Sequence, residues 1–162
     1  MSILDDVQAV HPSLVVETHR FRGDQTALIY PQGLLPLVKL LSERGFNFLV
    51  DITAVDWYEK TQRPERFEVV YHWLNLVTQE RLRIKVLLIE KQVVPTLSHL
   101  FETANWYERE IYDLFGITFE GHPNLIRLLT WPDFPGHALR KDFPLDGGDP
   151  FCMLDSTAPF TH

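Results

Sequence analysis

Two short stretches of this sequence carry charge in patterns that could do chemistry. In the first, Glu108, Arg109, Glu110 and Asp113 lie close together. Read as a helix at about 100° per residue, Tyr107, Ile111, Leu114 and Phe115 share the apolar face. Arg109 and Asp113 then fall opposite, as an i,i+4 surface pair worth only tenths of a kcal/mol. Glu108 falls at the border, beside Tyr112. A carboxyl there has two uses: partial burial raises its pKa toward that of a general acid, or it seeks a cation. No nucleophile or second catalytic group is near in sequence, which disfavours catalysis. The second stretch is Arg140, Lys141 and Asp142, bracketed by Leu139, Phe143 and Leu145 and stopped by Pro144. It reads as an exposed turn, or as an anchor in which arginine grips carboxylates and Phe143 supplies apolar area.

Three other groupings are weaker. His122 and His137, with Asp133 between them, have the donor types for a metal, but not tight ligand spacing, so a structural role is favoured. Arg81, Arg83 and Lys85 make a basic stripe along one strand face. It would bind an anion or, more simply, face water and pair across the hairpin with Glu68. Cys152 is the single cysteine, which excludes an intrachain disulfide and a four-cysteine zinc or iron–sulfur site. No glycine-rich dinucleotide fingerprint, P-loop or nucleophile elbow occurs.

The elements that must position these groups read as mixed α/β. Residues 14–19 and 25–30 are short strands around Arg22-Gly23-Asp24. Residues 34–44 form a helix with Pro36 in its first turn and Gly45 as its stop. Residues 46–55 form a strand with Phe46, Phe48, Val50, Ile52 and Ala54 on one face. Residues 66–76 and 80–90 alternate, with Val70 as an exception on the polar side, and form an antiparallel hairpin across Val77-Thr78-Gln79. A helix is expected from Val94 to Glu102, with Pro95 in its first turn, and another from Trp106 to Phe115, closed by Gly116.

The expected fold is α+β: a mixed, largely antiparallel sheet covered by helices on one face. Residues 1–120 form the core domain. From Gly121 the texture changes, with prolines at 123, 132, 135, 144, 150 and 159. Proline at that density stops regular elements, so residues 121–162 are expected to be an extended tail. Its Leu125, Ile126, Leu128, Leu129, Trp131, Phe134, Phe143 and Phe151 need a surface to lie on, and partner subunits are the expected one.

Composition bounds the function. The 162 residues are 45% hydrophobic with net charge −7, enough for a core and too acidic for a general nucleic-acid or polybasic membrane binder. No stretch approaches the ~18–20 apolar residues of a membrane span. Residues 1–10 lack the layout of a signal peptide, so an intracellular chain is expected.

Three stretches read together go further. Ala104-Asn-Trp-Tyr-Glu-Arg-Glu-Ile-Tyr-Asp-Leu-Phe-Gly-Ile117 is followed by Phe119-Glu-Gly-His-Pro-Asn-Leu-Ile-Arg-Leu-Leu129. Then comes Gly136-His-Ala-Leu-Arg-Lys-Asp-Phe-Pro-Leu145. Upstream stand Asp51-Ile-Thr-Ala-Val-Asp-Trp57 and Arg66-Phe-Glu-Val-Val-Tyr71. Together they resemble the 30 kDa (C-type) subunit family of complex I, the respiratory NADH:quinone oxidoreductase. The likeness runs from about Phe46 to Leu145, and the first forty residues match only in type. Ala138 departs from the proline usual at its place, which loosens φ without removing a contact.

The resemblance implies a scaffold subunit of the peripheral arm that carries no redox centre, in a complex moving electrons from NADH through FMN and Fe–S clusters to quinone and pumping protons. It implies no cofactor in this chain. FMN, clusters and quinone belong to partners: the quinone-pocket (49 kDa, D-type) subunit and the Fe–S subunits. The place implied is the cytoplasmic side of the inner membrane, reached through the complex. The matching residues become interface residues rather than catalytic ones: Glu108, Arg109, Glu110, Asp113, Gly116, His122, Pro123, Arg127, His137, Arg140, Lys141, Asp142, Phe143 and Pro144. Two alternatives stay open. One is the equivalent subunit of a membrane-bound hydrogenase or a ferredoxin-fed relative. The other is a stand-alone metal-dependent enzyme using His122 and His137.

Overall fold

The computed structural model describes residues 3–10, 12–60 and 62–144. Cys152, Phe151 and the last prolines lie outside the described residues.

Alternation of apolar and polar residues builds the sheet. Strands β1 (Val15–Phe21) and β2 (Asp24–Ile29) form a hairpin through Arg22 and Gly23, both at positive φ. Strands β3 (Phe48–Asp56), β4 (Phe67–Leu74) and β5 (Arg81–Leu88) form an antiparallel meander, and β5 joins β2 in parallel. The order is β1-β2-β5-β4-β3, so one parallel junction sits in an otherwise antiparallel sheet. The β4–β5 hairpin forms as expected, with Phe67 opposite Leu88 and Leu74 opposite Arg81. Its turn is tied by buried Asn75, whose side-chain oxygen accepts the N–H groups of Val77 and Thr78.

One sheet face is apolar and carries Ala27, Ile29, Ile52, Ala54, Phe67, Val69, Tyr71, Trp73, Leu82, Ile84, Val86 and Leu88. Helices α1 (Ile3–Val10), α2 (Leu34–Glu43) and α3 (Glu102–Phe115) close the core over it. The class is α+β, as expected. In α2, Leu34, Leu37, Val38 and Leu41 point into the core, and Gly45 at φ 84° follows the helix.

Three local expectations are corrected. Strand β3 does not keep one face: Phe48 and Val50 are exposed, whereas Leu49, Ile52 and Ala54 are buried. The register shifts between Leu49 and Asp51, so an irregularity flips the alternation there. Residues 94–101 of the helix expected over 94–102 are not helical. Val94–Pro95 is a short strand, β6, parallel to β7 (Phe119–Glu120), with Val94 N–H donating to Thr118 and Thr96 N–H to Glu120. Consecutive valines favour extended backbone, and Leu97 N–H is claimed by a side chain described below. Helix α3 therefore starts at Glu102, earlier than the Trp106 expected. Helix α1 is not among the expected elements. Its buried Ile3, Leu4 and Val7 show the helical spacing, with Asp5 and Asp6 in the favourable first turn.

Candidate functional site

The signature residues converge on one side of the molecule, where the chain after β7 folds back over α3. Asp113 is the centre. It is fully buried, and its Oδ2 accepts the backbone N–H groups of Leu128, Leu129 and Thr130 at 2.9, 2.7 and 2.8 Å. Its Oδ1 accepts from the Arg127 guanidinium at 2.9 Å and from the Thr130 hydroxyl. Three successive N–H groups on one oxygen make an anion nest. Burial alone would raise this carboxyl's pKa, but Thr130, Leu129 and Arg127 outweigh it and hold it well below the carboxylate range. The expected surface pair of Asp113 with Arg109 does not form. That face of α3 is covered by residues 126–134, and Arg109 instead donates to the carbonyls of Ile126 and Arg127 while lying 5.0 Å over the Trp106 ring.

The same covering segment uses both histidines. His122 Nε2–H donates to the Asn105 carbonyl at 3.2 Å, and its Nδ1 accepts Asn124 N–H. His137 Nδ1–H donates to the Asp113 carbonyl at 2.8 Å. Its ring fills the space beside Gly116, where an added Cβ would lie 2.6 Å from it. Gly116 is also left-handed, at φ 74°, and ends α3. The two imidazoles thus serve opposite ends of α3. Among the described residues no group of three or more His, Cys, Asp or Glu side chains is arranged to hold a metal ion.

The Arg-Lys-Asp stretch forms a second anchor at the ends of β3, β4 and β5. Arg66 grips Asp56 with two bonds, 2.7 and 2.9 Å, and Asp142 with two more, 2.6 and 3.0 Å, and reaches Glu90 at 2.8 Å. Arg140 donates to Glu90 and Asp142, and Lys141 N–H donates to Asp56 at 2.8 Å. The Arg66 guanidinium also lies 4.6 Å over Tyr58 and 4.8 Å over Phe67. Asp56 is wholly buried and Arg66 nearly so. Burial would raise Asp56, but Arg66 and the N–H groups of Lys141 and Tyr58 lower it on balance. The Arg66 bond, opposed by burial and aided by Arg140, brings Asp142 down to about 2. Phe143 stacks on Phe134 at 5.4 Å between ring centres, and Trp131 meets Phe134 edge-on at 5.0 Å.

Glu108 is buried completely, not at a border. Its Oε1 accepts Leu97 N–H at 2.7 Å and its Oε2 accepts the Thr96 hydroxyl at 2.5 Å. It therefore pins β6 and the following turn to α3. Burial pushes its carboxyl up to about 7, against the lowering pull of the Thr96 and Leu97 bonds. Glu110, by contrast, is exposed and has no hydrogen-bond or ion-pair partner among the described residues. The Lys141 side chain, Pro123 and Pro144 are also exposed. The basic stripe is partly neutralised within the sheet: Lys85 pairs with Glu68 at 2.9 Å and Arg83 with Asp24 at 3.6 Å.

The geometry joins Asp113, Arg127, Gly116, His137 and Arg109 in one cluster, and Arg140, Lys141 and Asp142 in another. Asp56, Arg66, Glu90 and Thr130 belong to these clusters without being among the expected site residues, although Asp56 and Arg66 lie in the upstream stretches that resemble the family. Pairing the strand 46–55 with 66–76 is the signal that brings Asp56 and Arg66 together. What the clusters do is hold residues 121–144 on the chain's own domain, leaving Ile126, Leu129, Trp131 and Leu139 about half exposed.

Comparison with known proteins agrees with the motifs. Residues 27–149 match the family described as respiratory-chain NADH dehydrogenase, 30 Kd subunit. The chain is 45% identical over 139 residues to the C-type subunit of NADH-quinone oxidoreductase from Rhodobacter capsulatus, covering 84% of this chain and 68% of that one. It is 42% identical to the mitochondrial NADH-ubiquinone oxidoreductase 30.4 kDa subunit of Neurospora crassa, covering 84% and 48%. Among solved structures, a trypsin-resistant fragment of Nqo5 superposes with TM-score 0.68 at 33% identity, over 76% of this chain and 96% of that one. A chain of the archaeal membrane-bound sulfane sulfur reductase gives TM-score 0.72 at 25% identity, over 88% and 84%. The chain belongs to the respiratory-chain NADH dehydrogenase 30 kDa subunit family of complex I.

Proposed function

We propose that this chain is a non-redox scaffold subunit in the peripheral arm of proton-translocating NADH:quinone oxidoreductase. It supports electron transfer from NADH through FMN and Fe–S clusters to quinone, all of them held by partner subunits. One observation carries this reading. Arg109, Asp113, Arg127, Arg140 and Asp142 are spent on fixing residues 121–144 in place, and the fixed segment leaves Ile126, Leu129, Trp131 and Leu139 half exposed. That suits a subunit whose work is to hold neighbours in register. Its partners are the quinone-pocket (49 kDa, D-type) subunit and the Fe–S subunits, met on the cytoplasmic side of the inner membrane. No helix among the described residues is long and apolar enough to cross a membrane.

Affinity purification of the tagged chain from its host's membranes, with an NADH:quinone activity assay, tests this. Quinone-pocket and Fe–S subunits recovered with NADH-driven turnover support it, and recovery of the chain alone with bound metal overturns it. The likeness to a sulfane sulfur reductase chain favours a second reading. There the chain is the equivalent subunit of a membrane-bound hydrogenase or ferredoxin-fed relative, and the same partners come down without NADH activity.

A further inference from the structure

The domain contains two wholly buried carboxyls on one helix, and their surroundings differ in kind. Asp113 is held mainly by donors that cannot reverse, three backbone N–H groups and a guanidinium, with the Thr130 hydroxyl as the one reversible partner. Protonating it would leave the Arg127 guanidinium without its anion. Among the described residues Glu108 has no cation as a hydrogen-bond partner. One of its partners is a hydroxyl, and that hydroxyl belongs to a chain: Thr96 Oγ1 lies 2.8 Å from Ser98 Oγ and accepts Ser98 N–H at 3.0 Å. Ser98 is half-buried, nearer the surface than the fully enclosed Glu108.

We propose that Glu108 is a reversible proton-binding site and that the hydroxyls of Thr96 and Ser98 are its relay to the surface. With Glu108 charged, Ser98 O–H donates to Thr96 and Thr96 O–H donates to Oε2. A proton delivered to Ser98 Oγ passes Ser98's own proton to Thr96 and Thr96's to Glu108. One carboxyl O–H forms, each hydroxyl exchanges one O–H for another, and the site gains one proton. Glu108 O–H then donates to Thr96, Thr96 to Ser98, and Ser98 outward. Leu97 N–H stays on Oε1 throughout. Both states are fully hydrogen-bonded without moving a heavy atom, so neither carries the cost of an orphaned buried polar group. The titratable groups acting on Glu108 are His99 of the loop before α3, whose charge favours the carboxylate, and Tyr71 of β4. The Tyr71 phenol is buried with no hydrogen-bond partner among the described residues, and burial holds it neutral.

The test is a carbon-13 titration of glutamate carboxyls in the full chain between pH 5 and 9. We expect one carboxyl with a midpoint near 7. Its signal is absent in Glu108→Gln, and the Leu97 amide of the unaltered chain follows the same midpoint. Ser98→Ala removes the acceptor of the neutral state and should lower that midpoint by roughly half to one pH unit. Thr96→Val removes the donor to the charged state and should raise it. A Leu97 amide that does not titrate across this range overturns the proton site. A midpoint unmoved by Ser98→Ala overturns the relay.

Discussion

Asp113 and Glu108 stand five residues apart on α3, and their opposite environments give opposite pH signatures. Asp113 has a lowered pKa in the folded chain, so its contribution is present above the unfolded carboxylate value and lost only in acid. Glu108 is raised. Its contribution is complete below about 4.5 and is lost as pH climbs to about 7. We expect stability of the full chain, followed by urea unfolding, to fall by roughly 3 kcal/mol across that window, and Glu108→Gln to flatten the fall. We expect Asp113→Asn to cost roughly 3–5 kcal/mol at pH 7, because Arg127 and the N–H nest lose their anion. A loss under about 1 kcal/mol would contradict the hub, since that is the scale of an exposed pair. From the sequence, Asp113 reads as that exposed pair. Helical periodicity places it opposite the apolar face, and nothing local says that a later segment returns to cover it.

At the scale of elements, the legible ones are those whose pattern is self-sufficient. The β4–β5 hairpin alternates over most of its length, with Val70 and Leu87 as exceptions, and α2 has its spacing and its stop. Residues 94–102 mislead because Pro95 suits a first helical turn equally well. What decides is remote: β7 takes the backbone of Val94 and Thr96, and Glu108 takes Leu97 N–H. The irregularity in β3 likewise has no local sign. The sequence marks Gly116 as the stop of α3, but its second duty, making room for the His137 ring, shows only in the fold. Gly116→Ala should therefore cost more than the roughly 1–2 kcal/mol of a left-handed alanine. Thermal unfolding beside an exposed control such as Glu110→Ala measures the difference.

Across the whole molecule, Arg66 joins strand ends far apart in sequence to the returning chain. Arg66→Gln should loosen residues 137–144 while the sheet persists. Hydrogen exchange should speed at the Lys141 and Phe143 amides and leave β4 and β5 protected; uniform loss of protection would mean that the anchor is part of the fold itself. Arg140 shares Glu90 and Asp142 with Arg66, so Arg140→Ala should act in the same direction.

The scaffold role stands or falls on whether loosening this segment affects assembly or turnover. The most direct measurement is the amount of purified peripheral arm, and its NADH:quinone turnover per complex, for the unaltered chain and for Arg140→Ala. We expect less assembled complex, with unchanged turnover in each complex that forms. Full assembly with lost turnover would contradict the scaffold role and place these residues in the reaction itself.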